Sequence, residues 1–286
     1  MKVVLTGPGG QLGQELKRTV PESVVLIAFD KGQLDITDKE SVNESLQAVK
    51  PDWIINAAAY TNVDGAESNL DHAYSVNRDG AGYLAHAAQS LNTKMLHVST
   101  DYVFDGKKGG LYRTDDPPSP LSVYGRSKSE GEDAVLSILG ERAIVLRSAW
   151  IYSCGGGNFV KTMLRLMSER EELAVVCDQI GSPTWGHNLA EAVWSLVMRD
   201  ASGVHHWTDA GVASWYDFAI SIRDEAVRIG LLSKRVTIRP ILSEEYPCPA
   251  TRPGCCVLDK SQTSSVLGYD PEHWGIALRK MLGEIQ

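Results

Sequence analysis

The chain has 286 residues, 43% of them hydrophobic and 22% charged, a balance that fits one large or two modest globular domains and excludes a disordered or fibrous chain. Its 28 basic and 36 acidic side chains give a net charge of −8 with no long Lys/Arg run, which argues against sequence-independent nucleic-acid binding. No stretch approaches the roughly eighteen consecutive apolar residues of a membrane-spanning helix, so no membrane partner is expected.

The first half alternates short β-branched runs with helical patterns, the signature of βαβ units and a parallel sheet. Residues 2–5 read as a strand, followed by a Gly-rich turn and a helix over 11–19. A second strand over 24–29 leads to Asp30, a helix covers 41–49, and Pro51-Asp52 introduces a third strand over 53–56. One long helix is expected over 70–90, a fourth strand over 95–99, a helix over 122–139 and a fifth strand over 143–147. After Trp150 the pattern loosens. Helices are expected at 159–167, 188–198 and 215–229, short extended pieces at 175–176 and 204–207, and a Pro- and Cys-rich segment over 240–256. The fold class is α/β: a doubly wound parallel sheet over 1–150 and a smaller lobe over 151–286, with helix 188–198 able to pack back on the sheet.

Residues 1–7 hold only a short apolar run before the glycines and do not read as a signal peptide. The five cysteines (Cys154, Cys177, Cys248, Cys255 and Cys256) show neither CxxC spacing nor His partners at zinc-ligand distances. A soluble, cytoplasmic chain with free thiols is expected.

Gly7, Gly10 and Gly13 form a GxxGxxG pattern between the first strand and the first helix. Backbone N–H groups and a helix N-terminus can approach a pyrophosphate there only if no Cβ intervenes, so the pattern points to a dinucleotide. The structural alternative is a tight βα turn without a ligand. Asp30 follows Gly13 by 17 residues, where a carboxylate can accept hydrogen bonds from ribose hydroxyls. It would repel a 2′-phosphate that the adjacent Lys31 could neutralise, which leaves NADH and NADPH both open.

Tyr124-Gly125-Arg126-Ser127-Lys128 places a phenol and an ammonium at i and i+4 on one face of the expected helix. A nearby cation stabilises a phenolate and brings tyrosine, whose ordinary pKa is about 10, toward the working range of a proton donor. His97-Val98-Ser99-Thr100-Asp101 sits at the carboxyl end of the fourth strand, where open α/β sheets bind ligands, and its hydroxyls can hold a substrate carbonyl. Turn capping is the plainer alternative for Ser99, Thr100 and Asp101.

Further strings extend this pattern. They are Leu34-Asp35-Ile36-Thr37-Asp38, the run from Asn56 to Glu67 (NAAAYTNVDGAE), Ser99 to Gly106 (STDYVFDG), Arg147 to Tyr152 (RSAWIY) and Asn158 to Met163 (NFVKTM). Asp178 to Thr184 (DQIGSPT) and Tyr246 to Pro253 (YPCPATRP) complete the set, which spans nearly the whole chain. With them the sequence resembles the extended short-chain dehydrogenase/reductase superfamily and, within it, the dTDP-4-dehydrorhamnose reductase family.

The resemblance implies a Rossmann-type cofactor domain, a C-terminal nucleotide-sugar lobe and a homodimer. It also implies NAD(P)H-dependent reduction of the C4 ketone of dTDP-4-dehydrorhamnose to dTDP-L-rhamnose, for cell-surface polysaccharide such as lipopolysaccharide. Tyr124 would then donate the proton, Lys128 would lower its pKa and bind the nicotinamide ribose, and Thr100 would orient the carbonyl. Gly10, Gln11 and Leu12 would face the pyrophosphate, Asp30 the ribose, and Asp35 and Ile36 the adenine end. Ala59, Tyr60, Thr61 and Val98 would line the nicotinamide side, while Thr100, Asp101, Trp150 and Arg252 would meet the dTDP-sugar.

The chain departs from the family pattern at Cys255-Cys256, where Asn-Ser is common. Some members hold Mg2+ at a dimer contact, for which Glu15 and Glu191 are candidates here, but His187 stands where a further acid would help, so no metal site is expected. Two other readings remain: a different nucleotide-sugar reductase or epimerase of the superfamily, and a non-catalytic NADP-binding subunit similar to the regulatory subunit of methionine adenosyltransferase. The intact Thr100, Tyr124 and Lys128 argue against the last.

Overall fold

Six parallel strands make up the central sheet of the computed structural model, which describes residues 1–285. They are β1 (Lys2–Thr6), β2 (Val25–Phe29), β3 (Trp53–Asn56), β4 (Lys94–Thr100), β5 (Ala143–Ser148) and, at the far edge, the strand Gly203–His206. Helices cover both faces, so β3 and β5 are buried along their whole length and read as continuous rather than alternating apolar runs. From β1 the chain passes to β2 on one side, then crosses to β3 on the other. That reversal opens a crevice at the carboxyl ends of β1 and β3, the place where a doubly wound sheet takes its ligand.

One face is covered by α1 (Gln11–Arg18) and α8 (Gly186–Met198), with Leu12, Leu16, Leu189 and Val193 packed on Val3, Leu5 and Ile55. Trp194 donates its indole N–H to the carbonyl of Leu16 at 3.2 Å and ties the two helices together. The opposite face carries α2 (Lys39–Val49), α5 (Ala81–Ser90) and α6 (Val123–Leu139) over Val4, Ile54 and Met95. Helix 188–198 therefore does pack back on the sheet. The expected short strand at 204–207 belongs to the sheet too, as Gly203–His206 paired in parallel with β5, not to the second lobe.

The expected single helix over 70–90 is broken. After α3 (Val63–Ser68), it runs as α4 (Leu70–Tyr74), a π-helical segment Ser75–Gly80, and α5. The wide turn places Asn77 where its amide accepts from Tyr60 N–H at 2.8 Å and donates to the Tyr60 carbonyl at 3.1 Å and Ser127 Oγ at 3.0 Å. Gly131 on α6 admits this approach, since a Cβ there would stand 2.1 Å from the Asn77 carbonyl oxygen. Such π segments often sit beside functional sites, and this one fixes both α6 and the loop after β3.

Beyond β5 a second core forms around α7 (Phe159–Glu169), α9 (Trp215–Arg228) and α11 (Trp274–Glu284). The segment expected to be only Pro- and Cys-rich begins inside a strand, Thr237–Ile241, which pairs in parallel with Glu172–Val176. Two helices near the end of the chain, α10 (Ser261–Leu267) and α11, follow it.

Candidate active site

A cleft of about 760 Å³ lies across the crevice between β1 and β3 and runs toward the second lobe. At its cofactor-like end the glycine turn leads into α1. Gly7 has φ +73°, and a Cβ there would lie 2.6 Å from Ala58 N, while one on Gly13 would lie 2.1 Å from the Gly7 carbonyl oxygen. Both positions exclude any side chain. Gly10 is the N-cap residue of α1 and no side chain caps the helix, so its first turn presents donors to the cleft. Gln11, Leu12, Gly13, Asp35, Ile36, Ala59, Tyr60, Thr61 and Val98 also line this cleft, together with Lys31. Asp30 does not. Its carboxylate is exposed and caps its own turn by accepting from Gln33 N–H at 3.0 Å.

The reactive end is built by β4, β5 and α6. Ser122 caps α6 by accepting from Gly125 N–H at 3.1 Å, and Glu67 accepts from Val123 N–H at 2.8 Å. This fixes the first turn, which carries Tyr124. Gly125 lets that turn sit against the segment after β4, because a Cβ would fall 2.3 Å from the Tyr102 carbonyl oxygen. The rings of Tyr102 and Tyr124 meet edge to face at 5.5 Å.

Burial pushes the Tyr124 phenol up to about 12, against a lowering by its hydrogen bond with the Thr100 hydroxyl and a further raising by Asp101. Thr100 Oγ1 also donates to Asp101 Oδ1 at 3.0 Å and accepts from Tyr102 N–H at 3.2 Å. Asp101 is itself pushed up to about 7 by burial. Lys128 moves the other way: burial lowers it to about 8, against a raising by Glu132. The expected lowering of Tyr124 by Lys128 is not seen: burial dominates, and the lowering influence on the phenol comes from the Thr100 hydroxyl. Desolvation disfavours the charged form of each group, so the cleft holds an undissociated phenol and an ammonium that gives up its proton easily.

Trp150 closes the far wall. It holds φ +49°, uncommon for a large residue, and its indole stacks on Trp215 with ring centroids 3.5 Å apart and 5° between the planes. Gly181 passes behind it, where a Cβ would lie 2.6 Å from the ring. Arg252 is placed away from the cleft lining, with its guanidinium bound to both carboxylate oxygens of Asp64 at 3.1 and 2.7 Å.

The structure thus brings Thr100, Asp101, Tyr124, Lys128 and Trp150 to one cleft with the glycine turn, and leaves Asp30 and Arg252 outside its wall. Ser99 and Ser148 are buried cleft-lining residues whose hydroxyls have no hydrogen-bond partner among the described residues. Ser99 is an expected candidate hydroxyl; Ser148 lies in the RSAWIY string without an assigned role, and only strand register shows that it ends β5 opposite Thr100.

Among the described residues, no group of three or more His, Cys, Asp or Glu side chains is placed to hold a metal ion, so the Mg2+ considered from the sequence finds no support. Glu15 pairs with Arg18 at 2.9 Å, and His187 lies 3.8 Å from Glu15 and 3.5 Å from Glu191. All five cysteines are free, and no helix among the described residues is long and apolar enough to cross a membrane.

The family model for the RmlD substrate binding domain matches residues 1–286. A dTDP-4-dehydrorhamnose reductase from Aggregatibacter actinomycetemcomitans is 43% identical over 288 residues, covering 98% of each chain. Among solved structures, a dTDP-4-dehydrorhamnose reductase ortholog from Clostridium acetobutylicum superposes with a TM-score of 0.94 at 38% identity, covering 100% of both chains. The Bacillus anthracis dTDP-4-dehydrorhamnose reductase, solved in complex with NADP, gives 0.93 at 36% identity over 99% of both. A Gly-lined helix start, a Thr–Tyr–Lys cluster at the ends of β4 and α6, and these full-length matches lead to one conclusion: the chain belongs to the dTDP-4-dehydrorhamnose reductase family.

Proposed function

We propose that this protein reduces the C4 ketone of dTDP-4-dehydrorhamnose to the alcohol of dTDP-L-rhamnose, with NADPH as the preferred reductant. One observation carries the reading. An undissociated Tyr124 phenol, a Thr100 hydroxyl and the Lys128 ammonium line the same cleft as an uncapped helix start beside a glycine turn.

The cleft fits a dinucleotide on its own geometry. Side chains are excluded at Gly7 and Gly13, and the α1 donors have no capping side chain, which leaves a place for a pyrophosphate. Gly10, Gln11 and Leu12 would hold that group, Asp35 and Ile36 the adenine end, and Lys128 the nicotinamide ribose. Lys31 lies on the wall with a largely exposed ammonium that pairs loosely with Asp35 at 3.8 Å and is within reach of a 2′-phosphate, and this favours NADPH. When bound, the nicotinamide supplies hydride to the ketone carbon. As the carbonyl oxygen becomes alkoxide-like, Thr100 holds it by hydrogen bond and Tyr124 gives it a proton. Lys128 in its ammonium form stabilises the phenolate left behind. Trp150 and Asp101 would position the nucleotide-sugar, and closure of the second lobe over it would exclude water.

Use of the product in cell-surface polysaccharide, a homodimeric state and a cytoplasmic location are parts of the same proposal, carried over from the family resemblance. The decisive test follows NADPH oxidation with the dTDP-linked 4-keto-6-deoxy sugar and with the free 4-keto-6-deoxyhexose. Turnover of the first and negligible kcat/KM for the second are expected. Comparable values would overturn the nucleotide-sugar assignment.

A further inference from the structure

Beneath Lys128 a row of polar side chains crosses the sheet. Thr6 is in register with Asn56, and Asn56 with His97, so these three residues from β1, β3 and β4 stand side by side on the face covered by α6. All are essentially fully buried. Thr6 Oγ1 donates to Asn56 Oδ1 at 2.7 Å, and Asn56 Nδ2 meets His97 Nδ1 at 3.0 Å. His97 Nε2 in turn meets Lys128 Nζ at 3.2 Å. Lys128 also donates to the Val98 carbonyl at 2.6 Å.

The direction of the row follows from one fixed donor. The backbone N–H of Ala58 donates to Asn56 Oδ1 at 3.2 Å, so that atom is the amide oxygen and the Nδ2 side faces histidine. An amide NH₂ can only donate, so His97 Nδ1 must accept. A neutral imidazole that accepts at Nδ1 carries its proton on Nε2, and that proton points at Lys128.

We propose that His97 is a positioning residue that sets the charge state of Lys128: its Nε2–H donates to the Nζ lone pair and so favours the neutral amine. Burial and the neighbouring Lys128 hold His97 well below its ordinary value, which keeps the ring neutral. The row ends at Thr6, so it offers no outlet for a proton and acts by bias alone. The other charges around Lys128 are accounted for. Glu132, one turn along α6, is bound bidentately by Arg147 of β5. Tyr124 is undissociated, Asp101 acts on Tyr124, and Arg78 and Asp79 of the π segment pair with each other, Arg78 reaching on to Glu130. His97 is therefore the group that faces Nζ and tunes it.

This inference rests on the proposed reductase for its catalytic meaning, but its test does not need the sugar. In the wild-type protein, long-range 1H–15N spectra of His97 recorded above the Lys128 transition at about 8, where Nζ has a free lone pair, should show the Nε2–H tautomer. The Nδ1–H tautomer or an imidazolium would overturn the proposal. In His97→Phe, which keeps a planar aromatic ring and removes the donor, the Lys128 13Cε titration should move upward by roughly 0.5–1 pH unit, as expected when one buried hydrogen bond to the neutral form is lost. The alkaline limb of kcat/KM should move with it. An unmoved Lys128 titration in the folded variant would overturn the proposal. A moved titration in a protein inactive on the dTDP-sugar would leave it standing and remove only the substrate assignment.

Discussion

Lys128 and Glu132 lie one turn apart on α6, both almost completely buried, yet their surroundings differ. Glu132 is clasped by Arg147, whose Nη2 lies 2.6 Å from Oε2 and whose Nε reaches both oxygens. Arg147 also rests over the Phe104 ring and donates to His206 Nε2 at 3.4 Å. Among the described residues Lys128 has no carboxylate in contact, and its partners are the Val98 carbonyl and a neutral imidazole. A buried charge with a full set of partners is scaffold, while one held by neutral groups beside a cleft is poised for chemistry. The same helix supplies both.

Tyr124→Phe tests the chemical half of this contrast and should have the largest effect. The ring and its packing on Tyr102 stay, so the fold and cofactor binding should persist while kcat falls on the order of 10²–10⁴-fold, the usual worth of general acid catalysis. Wild-type kcat in this variant would take the phenol out of the mechanism. Arg147→Met tests the scaffold half. It leaves Glu132 buried without its partner and should lower the unfolding free energy by about 3–5 kcal/mol, read from denaturant midpoints. A loss below about 1 kcal/mol would show that the pair is not the clasp described here.

How much of this was legible in the sequence depends on the range of the signal. The glycine turn and the Tyr124/Lys128 spacing are local, and helical or strand periodicity alone puts them in place. The π segment was not legible, because Leu70, Ala73, Leu84 and Ala88 give an ordinary helical pattern and the widened turn answers to contacts with Tyr60 and Ser127. The return of Gly203–His206 to the sheet is a long-range pairing with β5. The His97 row needed the register of three strands, and each of its members alone looks like an ordinary polar residue near a strand end. Asp30 was placed by its position after the second strand, and what the sequence hid is that its carboxylate also accepts from Gln33 N–H in its own turn.

The most direct test of the central claim is the pH dependence of kcat/KM for the dTDP-linked ketone with NADPH. Burial lowers Lys128 to about 8 and raises Tyr124 to about 12, so Lys128 is the first of the two to lose its proton as pH rises. In the proposed mechanism the ammonium is the form that stabilises the Tyr124 phenolate, so the rate of reduction should be high below that point and fall as pH increases through about 8. A rate that stays flat until the phenol itself ionises would contradict the assignment of Lys128 as the charge on which Tyr124 depends.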